Sequence, residues 1–109
     1  MMEYELVIAA RARTDILRNA EWWAENHSPE QSILWFDAIY LQLENLRLMP
    51  ERFPTATEDG VASVEIREMP LGIGSRPSYR AIFTIRQREV HVLTVRRASQ
   101  DLLTTDDIE

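Results

Sequence analysis

The sequence predicts an α+β fold in which a helical hairpin packs on one face of a single small sheet. Three observations predict it: a short apolar stretch rich in β-branched residues near the start, helical periodicity over residues 10–49, and three alternating stretches between residues 62 and 97. Helices and strands that are grouped along a chain, rather than alternating, are typical of this class. The predicted order is therefore one strand, two helices and a three-strand antiparallel meander.

The domain organisation follows from the length and from this order. A chain of 109 residues is expected to form one domain with one modest core. Residues 1–9 are predicted to hold the first strand, 10–49 the helical hairpin, 62–97 the three-strand sheet and 98–109 an acidic C-terminal tail.

The first helix is indicated by an apolar stripe with the spacing of one helix face. The helix is predicted to follow the strand Glu3–Ala9 and to end near Asn26–His27. The stripe consists of Ala12, Ile16, Ala20 and Trp23, and the polar residues predicted to lie off it are Arg11, Asp15, Arg18 and Glu25.

The second helix has a clear start signal. Ser28 fits the N-cap, Pro29 the first helical position and Gln31 the reciprocal capping position. The helix is predicted to run to about Met49, because Pro50 would interrupt it. Its main stripe is Ile33, Phe36, Ile39, Tyr40, Leu43 and Leu46, and a second stripe on another face is Leu34, Leu41 and Leu48. Two apolar faces need two neighbours, so the second stripe is expected to contact the first helix or a partner chain.

Three strands are predicted after the acidic loop 51–61, and their alternation assigns their faces. They are Ala62–Met69, Tyr79–Arg86 and Glu89–Arg96, the last two joined by a turn. In the middle strand, Tyr79, Ala81, Phe83 and Ile85 are predicted to face the core. Arg80 and Arg86 then lie on the opposite face of the sheet.

The composition narrows the chemistry. The chain has no cysteine, which removes disulfides and thiol catalysis and favours a reducing cytoplasm. His27 and His91 lack metal-ligand spacing, so no metal or cofactor is expected. No apolar run approaches the roughly 20 residues of a membrane helix, and the start lacks the basic region of a signal peptide. All 12 basic residues are arginine, so no lysine is present to act as a general base or nucleophile.

The positive charge is concentrated in one segment of an otherwise acidic chain. Residues 76–97 hold six arginines and one acid, whereas the whole chain has a net charge of −6. Subtracting the segment's charge of +5 leaves −11 on the other residues. Arginines kept together despite their mutual repulsion usually have an anionic partner, either phosphate or carboxylate.

The arginines of this segment can be interpreted in two ways. Arg67, Arg96 and Arg97 can join Arg80 and Arg86 in a group that binds phosphates or acidic side chains. Alternatively, salt bridges within the chain satisfy this sheet face, the candidate acids being Glu65, Glu68, Asp106 and Asp107. Tyr79 is more typical of an amphipathic core residue than of a proton donor. His91 has no carboxylate at a spacing expected to orient it.

Several short motifs occur in an order that resembles one protein family. "SPEQSILWFDAIYLQLENLRLMPERFP" begins a helix at Ser-Pro and ends in a Leu-x-x-x-Pro-x-x-x-Pro element. "VEIREMPLGIGSRPSYRAIFTIRQREVHVLTVRR" contains Ile-Arg, a Gly/Pro loop, Tyr-Arg before an apolar run, and a closing Val-Arg strand. Over residues 3 to about 102 the chain resembles the RelE/ParE superfamily of toxins from bacterial toxin–antitoxin and plasmid-stabilisation systems, and its long Gly/Pro loop is ParE-like.

That resemblance implies one fold with two alternative activities. RelE-type members cleave mRNA on the ribosome without a metal, using arginines, lysines and a tyrosine or histidine around the scissile phosphate. ParE-type members inhibit DNA gyrase and are not known as nucleases. Members of both types are inhibited by a cognate antitoxin that wraps around the toxin.

Individual residues of this chain match the nuclease pattern incompletely. Arg80 matches the nuclease arginine of the Tyr-Arg motif, and Arg67 matches a basic position on the preceding strand. The neighbouring basic position is Glu65 here, which would repel a phosphate. Arg97 occupies the position of a histidine, and a guanidinium is too strong a base to serve as the acid–base group. The catalytic candidates Arg80, Arg67, Tyr79 and Arg97 therefore form no complete acid–base set, and enzymatic activity stays open.

These observations favour a cytoplasmic, growth-inhibiting, ParE-like toxin that binds a cellular target such as DNA gyrase and is neutralised by a cognate antitoxin. The alternatives are a RelE-type endonuclease acting on ribosome-bound mRNA and a detoxified interaction module, and a homodimer also stays open. The residues predicted to bind the target or the antitoxin are Arg67, Arg76, Arg80, Arg86, Arg96, Arg97, Leu34, Leu41 and Leu48.

Overall fold

A computed structural model describes residues 3–60, 63–74 and 77–98 and has the predicted order of elements. In chain order these are β1 (Glu5–Ile8), α1 (Ala10–Asn26), α2 (Pro29–Leu43), two 3₁₀ turns (Glu44–Arg47 and Pro50–Arg52), β2 (Arg67–Leu71), β3 (Tyr79–Arg86) and β4 (Glu89–Arg97). The helices pack on one face of one sheet, so the predicted α+β class is confirmed. Within the described residues, no helix is long and apolar enough to span a membrane.

The sheet is mixed, with strand order β1-β4-β3-β2. β2, β3 and β4 form the predicted antiparallel meander, and β1 pairs with β4 in parallel, with Leu6 opposite Val90. The turn between β3 and β4 places Gln87 at a φ of 55°, the left-handed conformation that favours tight hairpins. The first strand of the chain is therefore the neighbour of the last.

The two helix starts and ends follow local sequence signals, with one difference. α1 ends at Asn26 as predicted, and the Ser28 Oγ atom accepts a hydrogen bond from the Gln31 N–H at 3.1 Å. The prediction that the second helix stays α-helical to Met49 is wrong, because α2 ends at Leu43 and continues as a 3₁₀ turn. Met49 precedes Pro50, and a residue before proline is disfavoured in the right-handed helical region. The φ of Met49 is 48°, which lies outside that region.

The main core lies between the helical hairpin and the sheet. Tyr79, Ala81 and Phe83 are buried in it and Ile85 packs against it, which confirms the predicted parity of β3. From α2 the core takes Trp35, Ile39 and Leu43 at intervals of four residues. It also includes Ala12, Ile16 and Leu46.

The predicted stripes of α2 need one correction. Ile33, assigned to the core stripe, is 62% exposed, because the face that contacts the sheet is centred on Trp35 and Ile39 instead. The second stripe is exposed in the isolated chain, with Leu34 64%, Leu41 73% and Leu48 39% accessible. None of these three leucines is therefore buried within the isolated chain.

The start of β2 is also later than predicted. The strand runs from Arg67 to Leu71, whereas the prediction began it at Ala62, a residue outside the described ranges. Residues 63–66 instead form part of a loop over the second face of the sheet, where Ile66 and Ala56 pack on Ile82. The sheet is thus covered on both faces in this region.

Two leucines of α2 provide a direct test of this packing. Leu43→Ala should lower the free energy of unfolding by about 2–5 kcal/mol, because it removes buried methyl groups and leaves a cavity. The matched change Leu41→Ala, at a position 73% exposed, should alter it by less than about 0.5 kcal/mol. Urea unfolding followed by tryptophan fluorescence measures both, and equal losses would contradict the assignment of the two faces.

Candidate functional site

Arg80, the arginine that matches the nuclease motif, lies on the predicted face of the sheet but is buried. It is 7% exposed, and both of its terminal nitrogens bond to the carboxylate of Glu58, which is 3% exposed. The Nη1–Oε1 distance is 2.7 Å. The hydrogen bonds to Glu58 raise the pKa of Arg80 despite the opposing effect of burial. The guanidinium is therefore paired within the chain.

A well-bonded loop holds Glu58 over the sheet. Thr55 bridges to Arg67, and the Ala56 N–H donates to the Ile66 carbonyl at 2.9 Å. The Asp59 carboxylate accepts from the Ile66 N–H at 3.0 Å, so the two sides of the loop are tied together. Glu68, one of the acids suggested from the sequence, contributes a second carboxylate 3.9 Å from Arg80. The alternative of salt bridges within the chain holds for Arg80, with Glu58 as the principal acid.

The other arginines predicted on this face are dispersed. Arg67 donates to the carbonyl oxygens of Phe53 at 2.5 Å and Glu51 at 3.1 Å, and it pairs with Glu65 at 3.0 Å. It therefore supports the loop. Arg86 is exposed at the far end of β3, six residues from Arg80. Arg76, Asp106 and Asp107 lie outside the described residues.

A different group of arginines lines a cavity of about 340 Å³ between α1 and the end of β4. This group is called the basic cleft below. It comprises Arg11, Arg18 and Trp22 from α1 and Arg96 and Arg97 from β4, with Asp15 between them. Most of the charged residues that line this cavity are therefore basic.

Asp15 positions α1 against β4 at the base of the basic cleft. Its Oδ2 atom accepts hydrogen bonds from Thr94 Oγ1 at 2.5 Å and from the Val95 N–H at 3.2 Å. Its Oδ1 atom lies 3.3 Å from Arg11 Nε. Asp15 lies off the apolar stripe of α1, as predicted, but it is only 6% exposed, because it accepts hydrogen bonds from polar groups of the adjoining strand.

Aromatic rings form one side of the basic cleft. The Arg97 guanidinium carbon lies 4.1 Å from the centroid of the Trp22 ring, a cation–π contact. A second cavity of about 270 Å³ shares these two residues and extends to Trp23 and Tyr79. The Trp23 Nε1–H donates to the Tyr79 hydroxyl at 3.1 Å. Tyr79 is thus a core residue with its hydroxyl at this cavity, and Arg97 is oriented toward an aromatic surface.

Half of the basic cleft was missed by sequence reasoning, although a signal is present. Arg11, Asp15, Arg18 and Trp22 are separated by four, three and four residues, and so they share one side of α1. What the sequence does not show is that this side of α1 faces the end of β4.

The outer face of α2 and the end of the 3₁₀ turn that follows it form a second candidate surface. Leu34, Leu41 and Leu48, called the leucine stripe below, are exposed and are accompanied by Ile33. Glu30 and Asp37 lie beside these leucines on α2, Glu44 begins the 3₁₀ turn that follows, and all three acids are exposed. An exposed apolar strip with a polar rim is typical of a surface that binds a helix.

His91 differs from its predicted environment. Its Nε2 atom lies 2.9 Å from Glu89 Oε1, because residues two apart on a strand share a face. A carboxylate does orient this histidine, contrary to the sequence-based expectation. Among the residues that the structure describes, no cluster of three or more acids, histidines or cysteines could hold a metal ion.

Comparisons with known proteins support the fold. No protein-family profile and no curated protein sequence matches the chain. Among solved structures, a chain described as "Chromosomal ParDE TA system from P. aeruginosa" superposes with a TM-score of 0.72 at 18% sequence identity. The match covers 87% of this chain and 96% of that one. The two chains therefore share a fold over nearly their whole lengths, which confirms the family resemblance at the level of fold.

The buried pair of Arg80 and Glu58 generates a stability prediction. Glu58→Gln should lower the free energy of unfolding by about 3–5 kcal/mol, because it leaves the Arg80 charge buried without its carboxylate. The double change Glu58→Leu with Arg80→Met should recover most of this loss, since it removes both charges. Urea denaturation of the original chain and of the two variants measures their free energies of unfolding.

An exposed ion pair is the matched control for that measurement. At the surface, the Glu44 Oε2 atom lies 3.7 Å from the Arg47 Nε atom. Glu44→Gln disrupts this contact and should change the free energy of unfolding by less than about 0.5 kcal/mol. If Glu58→Gln were as mild as Glu44→Gln, Arg80 would not depend on Glu58.

Proposed function

We propose that this chain is the toxin component of a type II toxin–antitoxin module, ParE-like, that inhibits a cytoplasmic target such as DNA gyrase by binding. The fold shared with a chain of a ParDE system supports a toxin–antitoxin role. The observation that favours binding over RNA cleavage is the burial of Arg80 against Glu58.

Cleavage of a phosphodiester needs a cation that faces the phosphate and a group that moves a proton. Arg80 faces Glu58 rather than solvent, and the loop carrying Glu58 covers that part of the sheet. Arg97 is at the position where nucleases of this fold place a histidine, and a guanidinium cannot easily replace an imidazole as the group that moves a proton. On the paired strands β3 and β4, His91 lies opposite Thr84 and Arg96 lies opposite Arg80. His91 and Arg96 are five residues apart on β4. At the rise of a strand, His91 is therefore about 16 Å from the position opposite Arg80.

The leucine stripe is the proposed antitoxin-binding surface. Two of its exposed leucines, Leu34 and Leu41, are seven residues apart on α2, the spacing by which an amphipathic partner helix packs along another helix. Leu48 follows the end of the 3₁₀ turn. The acids Glu30, Asp37 and Glu44 beside it favour a partner helix with basic residues next to its apolar face. A second copy of this chain would bring the same acids together, so the charge favours a heterologous partner over a homodimer.

Growth assays test the proposed activity. Induced expression should arrest growth with gyrase-dependent DNA cleavage while the mRNA stays intact, and co-expression of the short reading frame beside the gene should restore growth. Mapping of mRNA ends and DNA breaks measures the two outcomes. Cuts at regular positions within translated codons would instead establish a RelE-type endonuclease. If growth were not arrested, the detoxified interaction module would be the remaining hypothesis.

Substitutions in the leucine stripe test the proposed antitoxin surface. The double change Leu34→Glu and Leu41→Glu should weaken binding to the product of the neighbouring gene by at least about tenfold, because it places charges in an apolar interface. Leu17→Glu is the matched control, since Leu17 is 55% exposed on the other helix. Calorimetric titration of the purified proteins measures both, and an equal effect of Leu17→Glu would contradict the assignment.

A further inference from the structure

We propose that Met49, with Leu48 beside it, forms the end of the surface that binds the partner helix and helps to determine which partner binds. The inference rests on the proposed function, because the partner is the basic amphipathic helix assigned to the leucine stripe. It adds to the leucine stripe a residue whose conformation and exposure are not required by folding alone.

The backbone of Met49 has a conformation that disfavours methionine. Met49 lies between the two 3₁₀ turns with a φ of 48° and a ψ of 56°. In this left-handed region a β-carbon crowds the backbone, so glycine, and to a lesser degree asparagine, are the usual residues there. The following Pro50 disfavours the right-handed helical region but leaves the extended region open. The proline alone therefore does not impose the left-handed conformation.

The hydrogen bonds that hold this turn do not involve the methionine side chain. The Arg52 N–H donates to the Met49 carbonyl at 3.1 Å, and the Phe53 N–H donates to the Pro50 carbonyl at 3.3 Å. Before the turn, the Leu48 N–H donates to the Asn45 carbonyl at 3.3 Å. All of these groups belong to the backbone. Glycine or asparagine at position 49 would therefore close the same turn with less strain.

The side chain of Met49 is also exposed. It is 59% accessible, and the adjacent Leu48 is 39% accessible. An apolar side chain that stays in water contributes little to folding. Single exposed apolar residues are common, but these two adjoin each other and Leu48 belongs to the leucine stripe. A strained residue that presents an apolar side chain to solvent is expected where that side chain serves binding.

The charged residues two positions away on either side of Met49 interact within the chain. The Arg47 Nε atom lies 3.7 Å from the Glu44 carboxylate, and Glu51 accepts a hydrogen bond from the Tyr4 hydroxyl. Met49 therefore offers the partner an apolar contact, and its unbranched thioether side chain can adapt to the shape of the residue that it meets. The acids beside the leucine stripe favour basic residues elsewhere on the same partner helix.

A single helix can reach both the leucine stripe and Met49. The 3₁₀ turn Glu44–Arg47 continues α2 without a break, because Leu43 and Glu44 both have right-handed helical dihedral angles. From Leu34 to the end of α2 the rise is about 14 Å, and the turn adds about 8 Å. A partner helix of about four turns therefore extends from Leu34 to the end of the turn that Met49 follows.

Met49→Asn separates a role in binding from a role in folding. Asparagine adopts the left-handed region more readily but lacks the apolar side chain, so the variant should match or exceed the urea midpoint of the original chain. Its affinity for the purified product of the neighbouring gene should fall by about threefold to tenfold, because an apolar contact is lost. Urea denaturation and calorimetric titration measure the two effects. A lower midpoint, or an unchanged affinity, would overturn the inference.

Two further variants are the controls for that titration. Met49→Leu keeps an apolar side chain of similar volume and should keep the affinity within about twofold. Val64→Asn removes an apolar side chain that is 39% exposed on the loop over the other face of the sheet, so it should leave the affinity unchanged. If either control weakened binding as much as Met49→Asn does, the apolar side chain at position 49 would not be the cause.

The inference and the proposed function fail in different ways. If the product of the neighbouring gene binds the original chain and Met49→Asn equally well, the inference about Met49 is wrong and the toxin–antitoxin pairing stands. If that product does not bind the original chain, both are wrong.

Discussion

The parallel pairing of β1 with β4 is the constraint on which the rest of this structure depends. It joins the first strand of the chain to the last, with Val7 opposite His91. Only Ala9 separates β1 from α1, so the pairing also places α1 beside β4. Asp15 then bonds to Thr94 and Val95, and the arginines of the helix and the strand face one cavity. The basic cleft is thus a consequence of the sheet topology.

The second face of the sheet shows how one acid changes the chemistry that a fold can perform. Arg80 is on the face that its alternation predicts, and it would be available for a phosphate if the face were open. The loop through Glu58 packs Ala56 and Ile66 on Ile82, and this small apolar cluster carries the carboxylate to the guanidinium. A buried ion pair of this kind adds little net stability over an apolar pair, but breaking it is costly. Its clearest consequence is that Arg80 has an internal partner.

Much of the fold could be predicted because its signals are local. The Ser28–Pro29 start of α2, the two-residue alternation of β3 and the turn at Gln87 each depend on a few adjacent residues. The length of α2 could not be predicted, since the 3₁₀ turn before Pro50 still places Leu46 in the core and so preserves an apolar pattern. The assignment of Ile33 was wrong for a related reason. Ile33 and Trp35 are both apolar, and only the position of the sheet decides which of them is buried.

The site was less predictable than the fold because it depends on contacts between distant residues. Arg97 was a candidate from the sequence, but Arg11 and Arg18 become its neighbours only through the β1–β4 pairing. Glu58 lies 22 residues from Arg80, in an acidic loop where no periodic pattern distinguishes it from Asp59 or Glu51. Charge counts could indicate that the arginines have anionic partners. They could not indicate that the partner of Arg80 lies within the chain.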